Sequence, residues 1–106
     1  MEALVSIITP TFNSANFIAE TIASVQNQTY SNWEMIIVDD GSNDATESII
    51  QNILLKDDRI QFYKLDKNSG PAVARNTAIE KAIGHYITFI DADDVWFPTF
   101  IENSVK

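Results

Sequence analysis

Four short β-forming runs, the first three each followed by residues with helical spacing, constrain this chain more than any other feature. They begin near residues 4, 33, 60 and 86, a spacing close to one strand–helix–strand unit each. Leu4–Ile8 is mostly apolar without strict alternation, which suits a strand buried on both faces of a parallel sheet. Pro10 has no amide proton for a ladder, so the first strand is expected to end there or turn irregular. A helix is expected over 15–28, with Ile18, Ile22 and Val25 facing inward and Asn13 or Ser14 as cap. Trp33–Val38 is the second strand. A second helix follows from about Asp44, capped by Asn43 or Asp44, with Ile49, Ile50, Ile53 and Leu54 on one face. Arg59–Leu65 alternates Ile60 and Phe62 against Gln61 and Tyr63, a strand of more exposed character. The third helix is expected over 71–83, with Pro71 in its first turn, Ile79 and Ile83 as its buried stripe, and Gly84 at C′. Strands alternating with helices imply an open, mainly parallel α/β sheet with right-handed crossovers and helices on its faces.

At 106 residues the chain is one domain at most, and its 45% apolar and 21% charged content is that of an ordinary globular protein. A net charge of −8 with only seven scattered basic residues argues against nucleic acid as a partner. No apolar run is long enough to span a bilayer, and no basic segment precedes an apolar signal core. With no cysteine either, the chain is expected in the cytoplasm, membrane-associated if the full-length protein so requires. Asn27-Gln28-Thr29 has the form of a glycosylation acceptor, but no secretory signal supports it.

The chemistry is concentrated in Gly84–Trp96. Five strand-forming residues lead into Asp91, Asp93 and Asp94, so a buried strand is expected to end abruptly in acids. Carboxylates this close repel one another, and burying them unpaired costs several kcal/mol or forces protonation. A divalent cation supplies the missing charge. Mg²⁺, a hard ion, takes oxygen ligands, commonly one or two carboxylates completed by phosphates and water. Asp91-Ala92-Asp93 is therefore a candidate metal–phosphate site. His85, after the glycine, reads as structural, and Trp33 and Trp96 read as packing residues.

Two further clusters sit at expected strand ends, Pro10–Asn13 and Asp39–Ser42, where ligands of open α/β sheets bind. Asp39-Asp40-Gly41-Ser42 is equally a turn and helix-entry signal by composition. Neither a G-x-G-x-x-G after the first strand nor a P-loop is present, so phosphates need another device.

Taken in series, Val5–Asn13, Ile37–Asp44, Asn68–Asn76 and Asp91–Asp94 resemble the family 2 glycosyltransferases of GT-A fold. The resemblance covers nearly the whole chain in the correct order, and it implies a Rossmann-like sheet binding a nucleotide-sugar donor, usually a uridine diphosphate sugar. By position, Pro10, Thr11 and Phe12 would line the nucleoside pocket. Asp40, with Asp39 beside it, would accept a hydrogen bond from the base, and Arg75 would approach the base or diphosphate. Asp91 would lie near the ribose, and Asp93 would coordinate Mn²⁺ or Mg²⁺ with Asp94 as its neighbour. The acceptor would be a saccharide or another hydroxyl compound.

An inverting transferase also needs a base to deprotonate the acceptor. The resemblance places that carboxylate beyond residue 106, so residues 1–106 are expected to bind donor without efficient transfer. The apolar residues Val95, Trp96, Phe97, Phe100 and Ile101 near the end read as an element that packs on later sequence. The chain thus reads as the N-terminal part of a longer protein, truncated on its C-terminal side. Two other classes are weighed against this reading. A receiver-like signalling domain needs its acidic pair after the first strand and a late lysine, and neither is found. A non-catalytic nucleotide-sugar-binding or interaction module would keep the same fold.

Overall fold

The structure, a computed structural model, describes residues 2–105. Its elements run β1 (Val5–Thr11), α1 (Ile18–Gln26), β2 (Trp33–Asp39), α2 (Thr46–Leu54), β3 (Ile60–Lys64), α3 (Pro71–Lys81), β4 (Tyr86–Phe89) and α4 (Phe100–Ser104). The strands form one parallel sheet in the order β3-β2-β1-β4. β1 is therefore internal, paired with β2 from Val5↔Trp33 to Thr11↔Asp39 and with β4 from Val5↔Tyr86 to Ile8↔Phe89.

This order explains which face each helix covers. The first two crossovers step outward from β1, and the third steps back across it, so right-handed connections put α3 opposite α1 and α2. On one face Ile18, Ile22, Val25 and Ile50 pack with Val5, Ile7, Met35 and Ile37. On the other, Ala74 and Ala78 lie against Ile8, Ile36 and Val38. At roughly 1.5–3 kcal/mol for each fully buried Val, Leu, Ile, Phe or Met, the first cluster is the main source of hydrophobic stabilisation.

The order of strands and helices follows the sequence reading, and several details differ from it. Pro10 does not end β1, which continues to Thr11 opposite Asp39. Backbone directions alternate along a parallel strand, and the amides of Val5 and Asp40 bond across the β1–β2 side. By that alternation Pro10 directs its missing N–H toward the β4 side, where pairing has already stopped at Ile8↔Phe89. No ladder bond is lost.

Asn13 and Ser14 are not the N-cap of α1, which begins at Ile18. The Ser14 carbonyl instead accepts the amides of Phe17 and Ile18, each at 2.9 Å, closing a turn ahead of the helix. α2 also starts late, at Thr46. There Asp44 does hold the entry, its Oδ1 accepting the Thr46 amide at 3.0 Å and the Thr46 hydroxyl at 2.6 Å.

In α3 the buried stripe is Ala74 and Ala78, with Ile79 at its margin and Ile83 77% exposed beyond the helix end. Small residues let this helix lie close to β1 and β2. Gly84 is not at C′, because Ala82 is already the extended cap residue. Its role is close approach: a Cβ there would lie 2.5 Å from Ser6 Oγ and 2.8 Å from the Leu4 carbonyl. The Gly84 amide donates to Ser6 Oγ at 2.8 Å, and that hydroxyl in turn donates to buried Glu34 at 2.6 Å.

β4 departs most from expectation, being a short edge strand rather than a buried one. Tyr86, Ile87 and Phe89 are about half exposed, because α3 lies over β1 and β2 and leaves β4 uncovered. Trp33 is buried beneath the Arg59 guanidinium, and Trp96 stacks on Phe100. His85 is exposed, its amide donating to Leu4.

Gly84→Ala is expected to destabilise the fold by roughly 1–3 kcal/mol, the usual cost of overpacking, seen as a lower urea midpoint at unchanged slope. A second expectation concerns acid. The Thr46 hydroxyl holds the Asp44 carboxyl below its ordinary value, and the Arg59 guanidinium does the same for Asp57. The stability these carboxylates add is complete above their unfolded value of about 4. It is lost as pH falls through the lower folded values. Denaturant melts below pH 4 should therefore show a shallower acid loss in an Asp44→Asn, Asp57→Asn double variant than in the parent.

Candidate functional site

At the carboxyl edge of the sheet the chain reverses its direction of travel, since β2 and β4 flank β1 on opposite sides. Loops on the two sides of such a switch point diverge and leave a crevice. A cavity of about 490 Å³ lies there. Its walls include Pro10, Thr11 and Phe12 from β1 and the turn after it, Asp40 from the end of β2, and Arg75 from α3. Asp91 and Asp93, from the turn after β4, line it as well.

Asp40 builds part of this wall as well as facing it. Its amide extends the β1–β2 ladder by donating to the Thr11 carbonyl at 2.8 Å. Its carboxylate accepts the amides of Ser69 at 2.6 Å and Gly70 at 3.0 Å, which fixes the loop entering α3. Asn68 adds a bond from Nδ2 to the Asp40 carbonyl at 3.2 Å. Gly41, at φ 82°, brings the two loops together, since a Cβ there would sit 2.9 Å from the Asn68 amide. A carboxylate offers about four acceptor positions, so Asp40 keeps capacity for a ligand donor after holding two amides.

The structure places Asp39 differently from the other expected site residues. It is fully buried, does not line the cavity, and uses one oxygen for the Ser42 amide at 2.9 Å and the other for the Ser42 hydroxyl. Ser42 Oγ also accepts the Asn13 amide at 2.8 Å, and Asn13 Oδ1 accepts the Asn43 amide at 3.0 Å. Asn13, at φ 49°, is the one non-glycine residue held in the left-handed region among the described residues. These bonds lock the turn after β1 to the turn after β2.

The acidic turn is closed by the Asp94 amide donating to the Asp91 carbonyl at 3.0 Å. The result is compact: Asp91, Asp93 and Asp94 are exposed, and each offers a carboxylate oxygen within 4.8 Å of the others. Asp94 is part of this group without lining the cavity. No Lys or Arg pairs with any of the three among the described residues. An all-oxygen, all-anionic donor set fits a hard divalent cation such as Mg²⁺ or Mn²⁺. Arg75 supplies positive charge across the cavity; no carboxylate pairs with it among the described residues, and its guanidinium carbon is 6.0 Å from the centre of the Phe89 ring.

Asn13, from the expected strand-end cluster, lines the cavity too, as do Ser14, Phe17, Asn68 and Gly70, to which the sequence reading assigned no role there. For Asn68 and Gly70 the signal was present, in the Asn68–Asn76 block. Phe17 offered none, because its half-exposed ring depends on where the turn before α1 carries it.

The sequence matches the family model described as Glycosyl transferase family 2 over residues 6–106. Over 103 residues it is 40% identical to WfgD of Escherichia coli, named a UDP-Glc:alpha-D-GlcNAc-diphosphoundecaprenol beta-1,3-glucosyltransferase, covering 97% of this chain and 40% of that one. Among solved structures it is similar to S. aureus TarS 1-349 in complex with UDP, with TM-score 0.89 and 32% identity over 95% of this chain and 30% of that one. It is also similar to the mannosyltransferase PcManGT from Pyrobaculum calidifontis in complex with GDP-Man and Mn²⁺, with TM-score 0.92 and 28% identity over 99% and 32%. Fold and sequence therefore agree on one class: an open parallel α/β sheet of the GT-A glycosyltransferase type. The chain belongs to glycosyl transferase family 2, and the resemblance read from its four motif blocks holds.

Asp40→Ala should free the amides of Ser69 and Gly70. Both bonds are part-buried, so the expected stability loss is about 1–3 kcal/mol. The specific readout is faster hydrogen exchange at these two amides, with exchange in β2 changed far less.

Proposed function

We propose that this chain forms the donor-binding part of a metal-dependent, inverting glycosyltransferase that uses a nucleotide-diphosphate sugar, with a uridine diphosphate sugar as the donor. The observation that carries this reading is the convergence of Pro10, Thr11, Phe12, Asp40, Arg75, Asp91 and Asp93 on one cavity at the sheet's switch point. It is supported by relatives and structural neighbours whose names specify UDP-Glc, UDP, UDP-GlcNAc or GDP-Man.

In this reading Pro10 and Phe12 give the nucleoside an apolar wall, and the remaining acceptor capacity of Asp40 takes a donor group of the base. Asp91 accepts from the ribose. Arg75, free of any carboxylate among the described residues, balances diphosphate charge. Asp93, with Asp91 and Asp94 close by, holds Mn²⁺ or Mg²⁺. Bound there, the ion supplies positive charge that offsets the departing nucleoside diphosphate. Asp39 acts through Ser42 and the turn it holds, outside direct contact with the donor. The acceptor is a saccharide or another hydroxyl compound, and the product belongs to polysaccharide assembly, a reading supported by a 47% identical relative from Bacillus subtilis named a putative teichuronic acid biosynthesis glycosyltransferase. The chain spans 40% of the length of WfgD and 30–32% of the TarS 1-349 and PcManGT chains, so the groups that bind and deprotonate acceptor are assigned to the sequence outside it.

Calorimetric titration with UDP, with and without Mn²⁺ and with GDP and CMP as controls, tests the reading. UDP binding that Mn²⁺ strengthens, with that gain lost in Asp93→Ala, is the expected result. A folded chain that binds no nucleotide under any metal condition would sink it, and GDP preference would change the donor while keeping the site.

A further inference from the structure

Thr21 is a polar residue on α1 that is 1% exposed, and its hydroxyl reaches the acidic turn. Thr21 Oγ1 lies 2.9 Å from the carbonyl oxygen of Ala92 and 3.3 Å from that of Phe17. A hydroxyl has one proton to give, and the shorter contact is the one to Ala92. The Phe17 contact is the local bond that helical threonines commonly make to the carbonyl four residues back. The Ala92 contact spans 71 positions of sequence and joins a core helix to the peptide between Asp91 and Asp93.

Ala92 is anchored a second time. It is 8% exposed, and its methyl group belongs to the same buried cluster as Ile18 and Ile22 of α1. Its neighbours Asp91 and Asp93 are both exposed. The residue between the two acids is thus held by its side chain in the core and by its carbonyl on Thr21. Gln28, also on the α1 side, grips the chain further along. Its Nε2 donates to the Phe97 carbonyl at 2.7 Å and its Oε1 accepts the Ile101 amide at 3.0 Å. Thr21 alone of these two side chains bonds within the acidic turn.

We propose that Thr21 is a positioning residue for the divalent-cation site. Its hydroxyl fixes the rotation of the Ala92 peptide, and that rotation sets where the flanking carboxylates of Asp91 and Asp93 point. Three carboxylates within 4.8 Å repel one another, so an unanchored turn would relax by splaying them apart. The anchor keeps them gathered before a cation arrives. Groups behind metal ligands that orient them in this way typically contribute 10–100-fold to metal affinity. This inference rests on the cation-binding role proposed above, and the test separates the two.

Mn²⁺ titration of the full chain, followed by electron paramagnetic resonance, is compared for the parent, Thr21→Val, Thr21→Ser and Asp93→Ala. UDP affinity in EDTA is measured alongside. Thr21→Val is nearly isosteric and removes the donor; it is expected to weaken Mn²⁺ binding about tenfold while leaving metal-free UDP affinity unchanged. Thr21→Ser is expected to restore the parent affinity. Should Thr21→Val fail to fold, Thr21→Ala carries the same expectation. Parent-like Mn²⁺ affinity in the folded variant overturns the proposal, and so does failure of serine to restore binding. Equal loss of metal binding and metal-free UDP binding also overturns it, since that marks a general structural effect. A parent that binds no Mn²⁺, or binds it equally well after Asp93→Ala, removes the cation site itself and this proposal with it.

Discussion

Everything at the carboxyl edge depends on the register of β1 with its two neighbours. β1 is paired in parallel with both β2 and β4, so three strand ends that are far apart in sequence emerge side by side. The stagger matters as much as the order. β2 follows β1 through Thr11, whereas β4 stops at the level of Ile8. The last residues of β1 therefore stand beyond the end of β4, and the acidic turn begins beside them. A proline is tolerated within β1 for the same reason, since no strand is left on that side to receive its missing bond.

The second controlling fact is the alternation of side chains at the end of β2. Asp39 is the strand's last residue and Asp40 follows at once, so adjacent carboxylates go to different environments. Asp39 is buried completely, and an unpartnered buried carboxylate would cost several kcal/mol. Ser42 satisfies both of its oxygens through its amide and its hydroxyl. Asp40 is also nearly buried, yet it opens onto the cavity and holds the loop entering α3. One acid thus stabilises the turn that shapes the cavity, and the other joins the cavity wall to the next helix.

The strand–helix order and the parallel sheet were legible in the sequence, because apolar runs and helical spacing are local signals. The residues around the cavity were legible through four motif blocks in series. Packing partners were harder to read. Ile79 and Ile83 looked like the inner stripe of α3 because they are large and apolar, but close contact with the sheet favoured Ala74 and Ala78. Gly84 looked like a helix terminator, whereas Ser6 of β1 and Leu4 just before it exclude a side chain there. β4 looked buried from its composition, which carries no record of edge or centre. The separate environments of Asp39 and Asp40 required the strand's exact end, and the bond from Thr21 to Ala92 required the whole fold.

The acidic turn shows how a fold can hold an arrangement that its own charges oppose. Nothing among the carboxylates of Asp91, Asp93 and Asp94 favours proximity in the absence of a cation, and no basic side chain pairs with them among the described residues. The gathering force comes from the backbone and from neutral neighbours. The Asp94 amide closes the turn on Asp91, the Ala92 methyl is buried in the main apolar cluster, and Ile90 just before it is buried and bonded to Ile8. Hydrophobic burial of Ile90 and Ala92 acts on the chain itself and does not depend on the state of the carboxylates. Because that anchorage precedes any ligand, part of the electrostatic cost of assembling the acids is already met in folding. A cation then gains their combined attraction without having to bring them together.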